Sequence, residues 1–315
     1  MREPFLANVN LAPLTTLKAG GVAEKLLFAR TVDDLARAVI AVQSESGQLT
    51  VLGSGSNVLP SDAGLSGYTV VNLCNKIEII EETTVLADCG CAFQDFFLKC
   101  VQAGFGGVEF AVGIPGTLGG ALVSNAGAYR SNVSTHLTRL EVAVGGERRW
   151  VDPAFMQFAY RDSILRRPSP PSCALLRAEF KLPKGDRKKS YDLARDFQRQ
   201  RISKQPAPAS AGSFFKNVEN TAFAQTLERL PAPLQEAGVV PSGFLIEEAG
   251  LRGYRLGRSR IARRHANFIL NTGGATATNI RDLAEFVKKT VLDKFGVALE
   301  EEVLYIGDWS GYSPQ

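Results

Sequence analysis

The 315-residue sequence has few histidines and little net charge of either sign. His136 and His265 are its two histidines, and no H-E-x-x-H or G-x-S-x-G motif is present. Metal-assisted hydrolysis and an α/β-hydrolase triad therefore lose support. The net charge is only +4, and no basic run with interleaved aromatic residues predicts nucleic-acid binding. The composition is that of a globular protein, and the length suggests two or three domains.

Cysteine use is sparse, and long hydrophobic runs are missing. The five cysteines are an odd set without a secretory leader, which predicts reduced thiols in a cytoplasmic protein. Cys89 and Cys91 lack further ligands nearby, so we expect no metal site. No apolar run is long enough to cross a bilayer, so we expect no membrane association.

Two glycine-rich stretches are the main feature that is present. Residues 51–59 read VLGSGSNVL, and residues 113–129 read GIPGTLGGALVSNAGAY, which predicts neither a regular strand nor a regular helix. Glycine lets main-chain N–H groups approach a ligand without a Cβ, and successive N–H groups can form a concave site for a pyrophosphate. Neither stretch fits the dinucleotide or P-loop fingerprint. From the residues alone, two tight turns and one shared anion site are equally good readings.

Local patterns predict several elements around these stretches. Thr31 is expected to cap a helix that reaches about residue 46, and residues 49–52 are expected to form the strand before the first stretch. An aromatic stripe in the helix at 92–103 is expected to be core. The polar segment 183–190 predicts a linker or a long turn, followed by a helix over about 191–203 with a solvated charged face. Asn279 is expected to start the strongest helix, which ends at Gly296.

Four short segments concentrate reactive side chains, and spacing alone does not join them. They read YRDS at 160–163, GSFFKN at 212–217, RHAN at 264–267 and LEEEV at 299–303. Each has a structural explanation: Arg161 could pair with Asp162, Ser213 could cap a turn, and the glutamates could be solvated. The residue types alone favour those structural explanations.

Taken in order, the motifs closely resemble the UDP-N-acetylenolpyruvoylglucosamine reductase family, flavoenzymes of peptidoglycan synthesis. The resemblance runs from Thr15 to about Gly307 and rests on TTLKAGG, LGSGSN, GIPGTLGGALVSNAGAY, YRDS, AGSFFKN, EEAGLRG, HANFILN and LEEEV. It implies an α+β chain with a two-part FAD-binding fold (PCMH/VAO-like) and a smaller α/β substrate-binding domain. The implied parts are residues 1–73 and 74–190 for FAD and 191–315 for the substrate, with the last strand returning to the FAD domain.

The resemblance also implies a reaction and its residues. NADPH gives a hydride to FAD and leaves, and the reduced flavin then gives hydride to C3 of the enolpyruvyl group. Arg161 would stabilise the developing charge, Glu302 would act at the same centre, and Ser213 would protonate C2. Tyr160, Arg161, Lys216 and Asn217 would contact substrate, whereas His265 and Asn267 are interpreted as structural.

Cofactor contacts are implied for both glycine-rich stretches, with the FAD pyrophosphate held by the first. The residues are Gly53, Ser54, Gly55, Ser56 and Asn57, and then Gly113, Ile114, Pro115, Gly116, Thr117, Gly119, Gly120, Asn125, Gly127 and Ala128.

The implied protein is a cytoplasmic monomer of the shorter subgroup, which lacks a tyrosine-bearing substrate loop, and its partners are a UDP-sugar and NADPH. Two other readings remain open at this point. Another FAD-dependent oxidoreductase of the same fold would keep the glycine stretches without needing Arg161, Ser213 and Glu302 together. A non-catalytic flavin-binding protein would use these polar residues only structurally.

Overall fold

The computed structural model describes residues 5–207 and 209–314, which form two compact units. The first unit holds the described residues up to Val9, Ala23–Gly55 and Leu65–Ser203. The second holds Asn10–Val22, Ser56–Gly64 and the described residues from Lys204 onward. The domain boundaries expected at residues 73 and 190 stay predictions, and the compact units divide the chain at other positions.

A four-stranded sheet opens the first unit, and its helix is set by a local capping signal. The Thr31 hydroxyl accepts a hydrogen bond from the Asp34 N–H at 3.1 Å, and the helix Val32–Ser44 begins there, as the sequence predicts. The strand Leu49–Leu52 is likewise confirmed, and it pairs in parallel with Leu65–Asn72. In spatial order the strands are Leu6–Asn10, Val22–Ala29, Leu65–Asn72 and Leu49–Leu52.

The larger core of the first unit lies against a five-stranded antiparallel sheet. Phe93, Phe96 and Phe97 are fully buried on the helix Phe93–Gln102, which confirms that the aromatic stripe is core. In spatial order the strands are Glu147–Val151, Leu137–Val144, Cys173–Lys181, Thr84–Asp88 and Ile77–Ile79. The remaining short elements are the helix Leu118–Val123, the paired strands Gly127–Ala128 and Ser131–Asn132, and 3-10 helices at Glu109–Ala111, Val133–His136, Pro153–Met156 and Ile164–Arg166.

The linker or long turn predicted at residues 183–190 is confirmed for residues 183–186, which lie outside helix and strand, and is wrong for residues 187–190. A helix already begins at Arg187 and continues to Lys204, and the Ser190 hydroxyl donates to the Glu109 carboxylate at 2.6 Å. The Gly185 N–H donates to the Gly104 carbonyl. The polar composition does not reveal the first turn of this helix, because the helix buries only a narrow face. Most of its residues are therefore charged, as they would be in a loop.

A helix of 19 residues, Ala277–Phe295, organises the core of the second unit. Thr276 and Asn279 form a capping box, so the helix starts two residues before the predicted Asn279, while Gly296 ends it as predicted. The Asp62 carboxylate accepts from the Ala277 and Thr278 N–H groups, both at 2.8 Å. That charge lies at the positive end of the helix, where it stabilises the first turn.

Short elements surround this helix. The last strand, Leu304–Ile306, pairs in parallel with Val58–Pro60. Among the described helices, none is both long and apolar enough to cross a membrane. The other elements are paired strands Val218–Glu219 and Val239–Val240, a sheet of Arg255–Leu256, Ser259–Ile261 and Ile269–Asn271, helices Thr221–Thr226, Ala232–Ala237 and Ser242–Glu248, and the 3-10 helix Ala12–Leu14.

Glu141 is a buried carboxylate in the five-stranded sheet, held by Arg148 and Arg177. Burial raises its pKa, but the two arginines outweigh burial and hold the pKa of Glu141 below its ordinary value. Its contribution to stability is therefore present above the unfolded pKa of about 4.3 and is lost as the pH falls through the folded value.

We expect Glu141→Gln to lower the free energy of unfolding by about 3 kcal/mol at pH 7, because two partly buried guanidinium groups lose their counter-charge. The difference should shrink as the pH falls below about 4. Urea titrations at several pH values measure it. Glu147→Gln is the control, because that carboxylate is 61% exposed and its ion pair with Arg149 is solvated. A pH-independent difference would contradict the assignment.

Candidate active site

The two glycine-rich stretches meet at Gly53 and Thr117, in the first unit. Gly53 follows the strand Leu49–Leu52 directly, and a Cβ on it would lie 2.2 Å from the Thr117 hydroxyl. Only glycine fits such an approach, because real Cβ atoms do not come so close to another heavy atom. Two independent surface turns would not explain such a tight contact between segments that are far apart in the sequence.

Backbone hydrogen bonds fix the second stretch against residues 89–93. The Gly119 N–H donates to the Cys89 carbonyl at 2.7 Å, and the Leu118 N–H donates to the Cys91 carbonyl at 2.9 Å. The Thr117 hydroxyl accepts from the Gly120 N–H at 3.2 Å and begins a helix over Leu118–Val123. The expectation of no regular helix in this stretch is therefore wrong for these six residues.

The rest of the second stretch turns repeatedly through left-handed backbone. The φ angles are +70° at Gly113, +118° at Gly116 and +42° at Asn125. The Asn125 amide nitrogen donates to the Ala159 carbonyl at 3.0 Å, but its side-chain oxygen is buried without a hydrogen-bond partner. A buried acceptor without a donor is uncommon in native proteins, so the Asn125 oxygen fits a donor supplied from outside the chain.

The remaining predicted cofactor residues have different surroundings. Ile114 packs against the core of the first unit, and Gly127 and Ala128 form a short strand in which a Cβ at Gly127 would lie 2.4 Å from the Ser131 carbonyl. Ser54 is exposed, and Gly55 has a φ of +60°.

The first stretch crosses from one compact unit to the other between residues 55 and 56. In the second unit, the Ser56 carbonyl accepts from the Thr16 hydroxyl at 3.4 Å. The Asn57 amide donates to the Ala211 carbonyl at 3.3 Å, and its own carbonyl accepts from the Leu304 N–H at 3.0 Å. Asn57 therefore lies between the segment that leads to Ser213 and the last strand.

Arg161 stands on a tight turn of the first unit, closed by mutual backbone hydrogen bonds between Ala159 and Asp162. Its φ of +52° is unusual for a residue with a long side chain and indicates a constrained position. The guanidinium donates to the Gly127 carbonyl at 2.5 Å and lies over the ring of the exposed Tyr160. Arg161 is thus brought against the second glycine stretch, with Tyr160 beside it.

Ser213 and Glu302 lie on neighbouring antiparallel segments of the second unit. The Phe214 carbonyl accepts from the Glu302 N–H at 2.8 Å, and the Lys216 N–H donates to the Glu300 carbonyl at 2.8 Å. Both Ser213 and Glu302 are half-buried. The tertiary fold therefore pairs the segments 212–217 and 299–303, which sequence spacing did not connect.

Asn267 holds the Ser213 segment in place. Its side-chain oxygen accepts from the Phe215 N–H at 3.0 Å, its amide donates to the Phe215 carbonyl at 2.8 Å, and its own carbonyl accepts from Phe214. His265 packs against Phe268, and burial lowers the pKa of its imidazole, which favours the neutral ring at pH 7. These contacts agree with the structural interpretation of both residues.

Lys216 and Asn217 are engaged within the second unit. The Lys216 amine contacts the Glu300 carboxylate, and the Asn217 side-chain oxygen accepts from the Ser242 N–H at 3.4 Å. The Lys216 side chain is only 13% exposed, so it reaches along the protein rather than into solvent. Their substrate contacts stay predictions.

Sequence reasoning missed two arginines with unusual surroundings. Arg281 lies among the rings of Tyr305, Trp309 and Tyr312, with guanidinium-to-ring distances of 4.7, 4.6 and 4.0 Å. Arg201 follows Ala194 at the seven-residue spacing that returns to the same helix face, a signal that could have marked it as partly buried.

Within residues 5–207 and 209–314, no cluster of three or more His, Cys, Asp or Glu could hold a metal ion.

Comparison with known proteins covers nearly the whole chain. Residues 23–148 match the FAD binding domain family, and residues 203–306 match the family described as UDP-N-acetylenolpyruvoylglucosamine reductase, C-terminal domain. A relative from Caldicellulosiruptor bescii is named UDP-N-acetylenolpyruvoylglucosamine reductase and is 36% identical to this chain. The match covers 97% of this chain and 91% of the relative.

Two further similarities agree. UDP-N-acetylenolpyruvoylglucosamine reductase 1 of Bacillus cereus is 36% identical, with coverage of 96% of this chain and 94% of that protein. The crystal structure of the reductase from Thermus caldophilus is 28% identical, with a TM-score of 0.75 and coverage of 96% of this chain and 99% of that one. This similarity extends to the α+β fold as a whole.

We expect Gly53→Ala to lower the free energy of unfolding by about 1–3 kcal/mol, because the new methyl group must displace Thr117. The displacement should also reduce the ratio of FAD to protein after purification. Urea denaturation and the ratio of absorbance at the flavin and protein bands measure the two effects. Gly311→Ala is the control, since a Cβ there meets nothing within 4 Å. Unchanged FAD content in Gly53→Ala would contradict the role of this contact.

Proposed function

Because the chain belongs to the UDP-N-acetylenolpyruvoylglucosamine reductase family, we propose that it reduces the enolpyruvyl group of UDP-N-acetylenolpyruvoylglucosamine to UDP-N-acetylmuramate. FAD and NADPH are its cofactors. The observation that carries the residue assignment is the pairing of the Ser213 and Glu302 segments through the Phe214 carbonyl. It brings a hydroxyl and a carboxyl from distant parts of the sequence onto adjacent segments.

The residues of both glycine stretches fit FAD. The Gly53–Thr117 contact joins the stretches, the left-handed backbone turns N–H groups away from regular pairing, and the buried Asn125 oxygen lacks a donor. These features suit the pyrophosphate and polar groups of a dinucleotide. Bound FAD would accept a hydride from NADPH and pass one to C3 of the enolpyruvyl group. Holding the FAD is the role proposed for the predicted residues of both stretches.

Arg161 is proposed to bind the substrate carboxylate. Its guanidinium is a fixed cation with donors in a planar fork that matches a carboxylate in two-point fashion. The turn at Ala159 and Asp162 fixes the backbone of Arg161, and the hydrogen bond from one terminal nitrogen to the Gly127 carbonyl holds the guanidinium itself. Negative charge that develops on the carboxylate side of the enolpyruvyl group is then met by a charge already in position.

Ser213 is proposed to donate its hydroxyl proton to C2. A free serine is a weak acid, so the transfer needs a strongly basic enolate and a hydroxyl held within hydrogen-bond reach. The Asn267 side chain supplies that positioning by fixing the backbone of Phe215 from both sides. Glu302 is proposed to act as a neutral carboxyl that donates a hydrogen bond to the enolate oxygen.

Tyr160, Lys216 and Asn217 are proposed to contact the sugar nucleotide. Tyr160 is 43% exposed, and its position beside Arg161 suits a ligand that enters there. Lys216 is held by Glu300 as a point charge for phosphate. Action as a monomer in the cytoplasm also stays a prediction.

An anaerobic two-step titration tests the proposed reaction. NADPH should bleach the bound flavin, and subsequent addition of UDP-N-acetylenolpyruvoylglucosamine should restore its absorbance with one UDP-N-acetylmuramate formed per flavin. A flavin that is reduced but stays reduced with this substrate would refute the proposed acceptor.

We expect Ser213→Ala to keep its FAD and its reduction by NADPH, while flavin reoxidation by the enolpyruvyl substrate slows about 100- to 10,000-fold. The loss follows from removal of the proposed proton donor. Stopped-flow absorbance separates the two half-reactions. Ser310→Ala is the control, because that hydroxyl is bonded to Asp308 on an exposed turn. Reoxidation of Ser213→Ala at the wild-type rate would refute the assignment.

Replacement of Glu302 distinguishes a neutral donor from a charged carboxylate. We expect Glu302→Gln to retain most of the reoxidation rate, because the amide still donates a hydrogen bond, and Glu302→Ala to lose about 100- to 1,000-fold. Single-turnover rates at several pH values provide the measurement. Equal losses in the two variants would show that the amide cannot replace the carboxyl and would contradict a neutral donor.

A further inference from the structure

Arg201 is a half-buried cation that the reaction proposed above does not use. It lies near the end of the helix Arg187–Lys204, in the first unit. Its Nε is buried without a hydrogen-bond partner, and one terminal nitrogen makes a single long bond to the Phe110 carbonyl at 3.5 Å. A guanidinium offers five donors, so most of its hydrogen-bonding capacity is unused by the described residues.

The surroundings of Arg201 belong to the second glycine stretch. A Cβ on Gly113 would lie 3.1 Å from the Arg201 Cδ, and the guanidinium lies 5.8 Å from the ring centre of Tyr129. Tyr129 is itself fixed, since it stacks on Phe197 at 3.6 Å and donates to the Phe197 carbonyl. Arg201 is therefore held beside the stretch that also contacts Arg161.

Charge around Arg201 is unbalanced. Among the described residues, no carboxylate forms an ion pair with it, whereas Arg199 on the same helix has Asp196 at 3.7 Å. Burial lowers the pKa of the Arg201 guanidinium, the Tyr129 side chain opposes this, and the positive charge of Arg161 lowers it further. A desolvated cation near a second cation costs free energy unless an anion joins them.

We propose that Arg201 binds an oxyanion group of the sugar-nucleotide substrate beside the second glycine stretch, which Arg161 also contacts. The guanidinium fork fits carboxylate and phosphate oxygens equally well, so the group is either the enolpyruvyl carboxylate or the diphosphate. The inference rests on the proposed function, because Arg161 is there assigned to the same substrate. It adds a binding residue that the family resemblance did not supply.

Direct binding to the oxidised holoenzyme tests this assignment in Arg201→Met, which keeps a long apolar side chain and removes the charge. UDP-N-acetylenolpyruvoylglucosamine and UDP-N-acetylglucosamine are the two probes, followed by calorimetry. We expect the dissociation constant to rise about 10- to 100-fold, the loss typical of a hydrogen bond to a charged group. Arg201→Lys should lie between Met and wild type, because it keeps the charge and loses the fork.

The two probes distinguish the two oxyanions. UDP-N-acetylglucosamine carries the diphosphate without the enolpyruvyl carboxylate. Equal weakening of both probes therefore assigns Arg201 to the diphosphate, and weakening of the enolpyruvyl probe alone assigns it to the carboxylate. Unchanged binding of both probes would overturn the inference, and so would a loss of FAD with unchanged probe binding.

Thermal stability separates a binding role from a structural one. Removal of an unpaired, partly buried charge should leave the Tm of Arg201→Met unchanged or higher. A lower Tm with unchanged probe binding would make Arg201 structural and overturn the inference. Arg199→Met is the matched control. An equal loss of affinity in this variant would show that the effect comes from the overall positive charge of the helix, which would also overturn the inference.

The outcome is independent of the reaction test. Failure of the wild-type protein to reoxidise its flavin with the enolpyruvyl substrate would refute the proposed function. Normal reoxidation by wild type, together with wild-type affinity in Arg201→Met, would refute only the assignment of Arg201.

Discussion

The approach of Gly53 to Thr117 is the contact on which the candidate cofactor site depends. It places the end of the strand Leu49–Leu52 against the residue that caps the helix Leu118–Val123. Because a Cβ would lie 2.2 Å from the threonine hydroxyl, any other residue at position 53 would push the two glycine stretches apart. Backbone N–H groups bind an anion together only if their spacing is fixed, so this packing contact precedes any chemistry.

A comparable constraint acts in the second unit, through hydrogen bonds instead of close packing. The Asn267 side chain satisfies both backbone groups of Phe215, and the Phe214 carbonyl accepts from Glu302. A serine hydroxyl is useful as a proton donor only in a narrow range of positions, since it is a weak acid. The surrounding polar network limits the backbone, which is how a loop can carry a precise side chain.

The polar groups along the second glycine stretch are arranged in a way that suits ligand binding better than the stability of the free protein. Glu141 has two arginine partners in the sheet, so its burial is compensated within the protein. Arg201 is partly buried without such a partner, and Asn125 keeps a buried acceptor without a donor. Both lie along the second glycine stretch. A protein site that binds a charged ligand lowers the stability of the ligand-free protein, because the groups that compensate its buried charges are supplied by the ligand.

The sequence by itself determined the elements whose signals are local, namely the Thr31 cap, the strand Leu49–Leu52 and the aromatic core stripe of the helix Phe93–Gln102. The order of its motifs also identified the family. The charged helix from Arg187 was mistaken for a linker at its start, because composition does not show which narrow face is buried. Only tertiary structure could place Ser213 beside the Glu302 segment and Gly53 against Thr117. Those contacts join residues far apart along the chain, and no local pattern records which distant backbone groups will meet.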